Sequence, residues 1–599
     1  MAGVPTAATG RLPRLAGAWR PSPSLAALCV IAVVLFLWPV VMLLYGAFRS
    51  APPGVESGWT TDRFTAVFGS DSLWGSLLNS VLLSALIIGL GTALAIYFAW
   101  LVARTTTPLR RLVAPMMLVV FAIPPLFFIL SWVLLGQQPV GSLNKLFQVV
   151  TGSEAAPLNI QSWYGMVAVG VMKVTAVEFL LLIGPFLALD SSMAEAARVS
   201  GSGRLRTFLQ IEVPVLAPSI LGVVILGFIV GLSLLDLPLV LGVPAGIDVL
   251  PTEIYRYIAA RNPADYAGAS TLSMLLVAIV LVLLVAQWRV LGNRQFSTVT
   301  GRGHRREPMD LGRWKYLGTA AIVLYGLVAL VAPLAQFVLG SLQPYAGVYT
   351  NLTFDNYRAV FETPDLFNAF KNTLAIGLVS GFVASALAVW ISLVARRPSS
   401  SPLRRLPDLT VWLLAAVPGI TLGLGVLWAY LSVPGLKSLF ATTWIVMIAL
   451  IAGVTPIATR AVGGAVRQIG GELEESARVA GASSLRATVG IVVRLILPSF
   501  FAAWFLTFVL AAGNLDIPIL LSSTENATVP TVAYDTYTTG NTAQAAATFC
   551  LLLASIVAVA AIGGLGSLLA RRYLRRPRGA VRGPRLQHDP GLVDHGGGR

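Results

Sequence analysis

Residues 195–214 read EAARVSGSGRLRTFLQIEVP, and residues 475–494 read ESARVAGASSLRATVGIVVR. Laid over each other without a gap, Glu195 falls on Glu475, Arg198 on Arg478, Gly201 on Gly481 and Ile211 on Ile491. Each copy is a short polar segment that opens on an acid, is broken by a glycine six residues later and lies between long apolar runs. The rest of the chain reads as a device for holding these two segments.

Of the 599 residues, 56% are hydrophobic and only 11% charged, with a mean hydropathy of +0.79. Soluble domains carry roughly 25% charged residues. The apolar residues gather into runs long enough for a helix to cross about 30 Å of hydrocarbon. Lipid offers free backbone groups no partner, so each run must close as a helix. These features define an all-α polytopic membrane protein. Twelve runs qualify, near 25–48, 76–103, 112–135, 164–189, 215–243, 268–288, 316–341, 373–395, 409–432, 443–466, 495–522 and 544–570. The first follows Arg11, Arg14 and Arg20 but is longer than a signal-peptide core, so it reads as a span, not a leader.

With the N-terminus inside, the connections alternate, and the outer ones hold only eight of the 42 lysines and arginines. The positive-inside rule therefore places both termini in the cytoplasm. The net charge of +16 is spread over membrane-flanking segments, which argues against nucleic acid as a partner and for the bilayer. Cys29 and Cys550 both lie in apolar runs, so neither a disulfide framework nor a metal-ligand spacing is present.

The chain also repeats. FTAVFGSDSLWGSLLNS (64–80) aligns with YRAVFETPDLFNAFKNT (357–373), placing Asn79 on Asn372. Leu235-Asp236-Leu237-Pro238 falls on Leu515-Asp516-Ile517-Pro518, and Pro251-Thr252 on Pro530-Thr531. The expected organisation is a tail (1–24), a six-span half (25–290), a basic cytoplasmic linker (291–315), a second six-span half (316–570) and a basic tail (571–599). An even number of spans per half gives the two halves parallel topology.

In the first polar segment Ser192 and Glu195 have capping-box spacing, Ala196, Ala197 and Val199 continue a helix, and Gly201 is a natural stop. A second short helix is expected from about 203 to 210, with Pro214 opening the next span. Such a helix–glycine–helix piece can project from the membrane into a groove of another protein.

Glu195-Ala196-Ala197, Gly201, Ile211 and Pro214 follow the pattern E-A-A, three residues, G, nine residues, I-x-L-P, and so resemble the EAA loop of ABC-importer permeases. The first copy departs in Val213 before the proline. The second keeps Glu475, Ala477, Gly481 and Ile491 but has Ser476 for the first alanine and Arg494 for the proline, with Pro498 four residues on. Over about 60–290 and 350–570 the chain is similar to fused twelve-span permeases of the iron(III) group, a group related to thiamine, phosphonate, polyamine and sulfate permeases.

That resemblance implies a type I ABC importer permease fold in a bacterial inner membrane. It implies two cytoplasmic ATP-binding subunits docked on the two loops, and an extracytoplasmic binding protein that delivers the cargo. Glu195 and Glu475 would anchor the two coupling helices, and Gly201 and Gly481 would allow the bend. The chain has no G-x-x-x-x-G-K-[ST] loop, so ATP is expected on the partners, with no cofactor or metal here and no enzymatic activity of its own.

Four further residues are candidates for a pathway or gate. Lys173 and Glu178 lie within the fourth span, where charge is costly; a packing contact is the competing reading. Asp236 and Asp516 occupy equivalent places and could attract a cation, or cap a helix break before Pro238 and Pro518. An ion-gradient-driven carrier is the alternative function, but it gives no reason for the paired EAA segments.

Overall fold

The computed structural model describes residues 23–189, 196–197, 199–291, 309–396, 402–469 and 472–574. Ser192, Glu195, most of the linker and most of both tails lie outside the described residues. The first half contains α1 (Pro23–Ala47), α2 (Asp71–Arg104), α3 (Arg110–Ala122), α4 (Pro125–Gly136), α5 (Trp163–Ala188), α6 (Phe208–Leu232), α7 (Leu250–Ala259) and α8 (Tyr266–Leu291). The second contains α9 (Trp314–Leu342), α10 (Pro364–Arg396), α11 (Pro402–Leu414), α12 (Gly419–Leu431), α13 (Thr443–Gln468), α14 (Glu472–Val479), α15 (Thr488–Ala512), α16 (Val529–Thr538) and α17 (Thr542–Leu574). Among the described residues every named element is helical. One compact unit runs through Leu552; the described part of the second unit is the remainder of α17.

Among the described residues ten helices are long and apolar enough to cross a membrane, and twelve spans result if two bent pairs each count as one. Those pairs differ from the uninterrupted runs expected near 112–135 and 409–432. The chain turns by 96° between α3 and α4 and by 118° between α11 and α12. The physical cause lies in the sequence at the bends, Pro124-Pro125 and Pro418-Gly419: a proline pushes the residue before it out of the helical region and cannot donate to the ladder.

Prolines inside the straight spans are accommodated differently. Wide π turns at Val33–Leu37, Phe208–Glu212 and Leu327–Val331 each end two residues before a proline, at Pro39, Pro214 and Pro333. A widened turn shifts the carbonyl that the proline ring would otherwise strike. The piece expected as a separate short helix at 203–210 is therefore absent. Helix begins at Arg204 and passes through the π turn straight into α6, with Pro214 inside it. The second copy does the same from Ser484, through Thr488–Val493, into the helix that carries Pro498.

The halves interlock. α1 packs on α11 and α12 of the second half, and α9 packs on α3 and α4 of the first. Glycine makes the first contact close: a Cβ at Gly46 would stand 2.3 Å from the Trp428 ring, and one at Gly425 would stand 2.5 Å from the Pro39 carbonyl oxygen. The Trp428 indole N–H donates to Ser270 Oγ at 2.9 Å, so α12 is also fixed to α8.

Candidate coupling site

The two glycine-centred segments share one backbone solution. Gly201 has φ +85° and Gly481 φ +89°, the left-handed region that ends a helix at little cost only for glycine. One residue on, the Ser202 N–H donates to Ala197 O at 2.9 Å and the Ala482 N–H to Ala477 O at 2.9 Å. This six-to-one bond across a left-handed glycine is a Schellman stop, and it satisfies a carbonyl left over at the helix end. Beyond it the Thr207 N–H donates to Gly203 O and the Ala487 N–H to Ser483 O, both at 2.9 Å. Each segment is thus a helix, a hard turn and the root of a long span.

Of the residues singled out in the sequence, Ala196 and Glu475 are exposed, Ala197 and Ala477 half-buried, and Ile211 and Ile491 half-buried where the segment re-enters the bundle. Sequence reading treated Val199 only as a helix residue. It is 89% exposed, and its equivalent Val479 is 90% exposed. An isolated surface valine is ordinary. Two at matching places, each two residues before a glycine stop, give each segment an exposed apolar residue.

A second set of paired contacts lies at the far end of α2 and α10. The Asn79 amide donates to Asp248 O at 2.9 Å, and that of Asn372 to Glu525 O at 3.0 Å and Ala527 O at 3.2 Å. Ser80 Oγ accepts from the Leu250 N–H at 2.8 Å and Thr373 Oγ1 from the Val529 N–H at 2.7 Å. The N-caps of α7 and α16 are closed by Thr252 and Thr531, whose hydroxyls accept the N–H of Val249 and Thr528 at 2.9 and 3.0 Å. The repeated Asn-[Ser/Thr] pair therefore grips the residues just before the Pro-Thr motif, and the Ser80, Thr373, Thr252 and Thr531 hydroxyls between them satisfy orphan N–H groups at the start of a short helix.

Between these ends lie the four candidate pathway residues. The Lys173 ammonium donates to the carbonyls of Val120 at 2.6 Å and Phe121 at 3.1 Å, and also to Ile123 O. It thus sits on the carbonyl end of α3 at the bend, where unpaired acceptors and the helix dipole favour a cation. Glu178, buried on α5, has the Thr92 hydroxyl as a polar neighbour and lies over Gly227, where a Cβ would come within 2.7 Å of its Oε1. The two residues face different partners.

Asp236 and Asp516 are brought together, carboxyl against carboxyl. Asp516 also packs on the α11–α12 bend: a Cβ at Gly419 would lie 2.7 Å from the Asp516 Cβ. One at Gly513 would lie 2.5 Å from Pro124 in the α3–α4 bend. The second helix break is capped by Asn514, whose Oδ1 accepts the Ile517 N–H at 3.0 Å. Tyr537 of α16 crosses the same seam, accepting from Gln161 Nε2 at 2.9 Å and donating to Val240 O at 3.2 Å.

Ten to twelve candidate spans among the described residues, packed as two interlocked repeats with a glycine-stopped segment in each, form a helical bundle of the kind expected of a membrane permease. The family described as "Binding-protein-dependent transport system inner membrane component" matches residues 72–296 and 387–576, one match in each half, and the chain belongs to it. Its relatives include a ferric transport system permease protein of Actinobacillus pleuropneumoniae, 28% identical over 364 residues, or 60% of this chain and 52% of the relative. A putative ferric transport system permease protein of Haemophilus influenzae is 28% identical over 60% of this chain and 57% of its own length. An sn-glycerol-3-phosphate transport system permease protein of Salmonella typhi is 24% identical over 45% of this chain and 93% of its own length. The chain spans little more than half the length of the two ferric relatives. The resemblance of the two loops is thus matched by the family found in both halves, and the protein is a multi-pass inner-membrane component.

Proposed function

We propose that this chain is the membrane channel of a binding-protein-dependent importer. Separate ATP-hydrolysing subunits, one on each glycine-stopped segment, power it, and an extracytoplasmic binding protein delivers its cargo. The observation that carries the reading is the duplicated Schellman stop at Gly201 and Gly481, with an apolar tip at Val199 and Val479, in a chain of this family. Two equal docking elements suit two equal partners. The lysine and arginine asymmetry supports placing these segments and both termini in the cytoplasm. Ferric iron is the first cargo to test, because the ferric relatives match across 60% of the chain.

The test is reconstitution of the purified chain with its ATPase and binding protein in proteoliposomes. Uptake of ferric iron from the loaded binding protein should require ATP on the side of the two segments. A variant carrying Glu195→Ala and Glu475→Ala should reach the membrane yet transport little. Uptake that ignores ATP and collapses with an ionophore would overturn the reading in favour of an ion-driven carrier.

A further inference from the structure

α2 and α10 both end on an arginine, Arg104 and Arg396, 25 and 24 residues past Asn79 and Asn372, and each guanidinium is largely buried at the foot of its coupling segment, with 11% and 16% of the side chain exposed. In the first half Arg104 donates from Nη2 to Leu189 O at 3.0 Å, where the chain leaves α5 for the segment. Its Nε lies 3.6 Å from Glu212 Oε1, where the chain re-enters the bundle. Arg104 therefore grips both stems of the first segment. In the second half Arg396 Nη2 lies 3.3 Å from Glu474 Oε2, on the coupling helix itself, and Glu474 Oε1 accepts from the Thr488 hydroxyl at 2.7 Å, at the root of α15.

The two carboxylates are not repeat-equivalents. In the repeat register Glu212 corresponds to Val492, and Glu474 to Ala194. An arginine ends the helix in both halves, one residue out of the register of the asparagines, while its acid has changed from one stem of the segment to the other. The ion pair is thus retained as a link, although the sequence that supplies it differs. A buried pair is weak evidence of stability in itself, so its retention by two routes asks for another reason.

The far ends of the same helices supply one. α2 is unbroken over 34 residues and α10 over 33. Arg104 lies about 37 Å from Asn79 along α2 at 1.5 Å per residue. Asn79-Ser80 and Asn372-Thr373 hold the starts of α7 and α16, which follow the Asp236 and Asp516 breaks. We propose that α2 and α10 are the levers of the transporter. Arg104 and Arg396 act as positioning residues that fasten each coupling segment to a rigid helix, and the other end of that helix carries α7 or α16. Movement imposed on a segment is delivered through the arginine to the breaks at the seam. The proposal rests on the importer reading above and names the parts that transmit its stroke.

The test uses the complete transporter, with its ATPase and binding protein, in proteoliposomes, reading ATP hydrolysed, cargo moved and ATPase bound per chain. E474A should retain the bound ATPase and its hydrolysis but lose at least about tenfold in cargo moved per ATP, the scale of a typical coupling between sites. E474A/V492E, which moves the acid to the position of Glu212, should recover most of that loss. R104K, which keeps the charge but not the two-armed grip, should uncouple in the same way. Wild-type cargo per ATP in E474A and R104K, or equal uncoupling in E474A and E474A/V492E, would overturn the proposal. Failure of the wild-type chain to hold an ATPase would instead sink the importer reading on which it rests.

Discussion

The carboxyl groups of Asp236 and Asp516 lie against each other although they stand 280 positions apart in the chain. A residue and its repeat-equivalent can touch only near the axis that relates the repeats, so this contact marks the centre of the molecule. Two ionised carboxylates in contact would repel, so one of the pair must carry a proton that the other accepts, and an amide supplies that donor permanently. D236N is therefore expected to keep the seam, and D236A to strip Asp516 of its neighbour at a cost of about 1–3 kcal/mol. Thermal unfolding in detergent decides it; equal stability of the two variants would refute the contact.

Gly201 and Gly481 carry the left-handed backbone of the two stops. Space is not the constraint, since a Cβ at either meets nothing within 4 Å. Gly481→Val should cost about 1 kcal/mol or more in local order, whereas Gly481→Asn, a residue that tolerates this conformation, should cost less. Hydrogen exchange of the Ala482 amide reads the stop directly, and slowed exchange in the valine variant would contradict it.

Val199 and Val479 expose apolar surface at the tips of the two segments. V199D/V479D is expected to leave the fold intact and to reduce ATPase co-purification about tenfold, because a charge buried in an apolar docking groove costs far more than one in water. Unchanged co-purification would remove the tips from the docking surface.

Lys173 satisfies the carbonyl end of α3 where the chain bends into α4. K173M fills similar space without donors and should destabilise the bundle by about 1–3 kcal/mol. Loss of cargo transport with no change in melting temperature would instead favour a gating role.

At the opposite end from the segments, burial raises the Tyr255 hydroxyl above its ordinary value, and the carboxylate of Asp535 raises it further. Burial chiefly raises Tyr534 in the same way, with Tyr255 and Tyr537 adding to it. A phenol held above its unfolded value stabilises the fold fully below about pH 10, and that contribution is lost as pH rises through the folded value. Y255F/Y534F should therefore flatten the alkaline loss of stability. Absorbance titration of the wild type showing both phenols ionising near pH 10 would contradict it.

Much of this was written in the sequence. The apolar runs, the two halves and the two glycine-centred segments follow from residue type and order, because lipid enforces helices and a left-handed stop demands glycine. The match of Asn79 with Asn372 and of Pro251-Thr252 with Pro530-Thr531 was visible in the letters, but that the first motif grips the start of the helix opened by the second was not. Hydrophobic run length also hid the bends at Pro124 and Pro418, since it cannot tell a straight span from one folded back on itself.

What only the tertiary structure decided are pairings across long separations: Asp236 with Asp516, α1 on the second half and α9 on the first, Arg104 with Glu212 and Arg396 with Glu474. The last two show why. Repeat alignment assumes that equivalent residues have equivalent partners, yet an arginine at the foot of a helix needs only a carboxylate within reach. Packing, not register, determined which glutamate that would be.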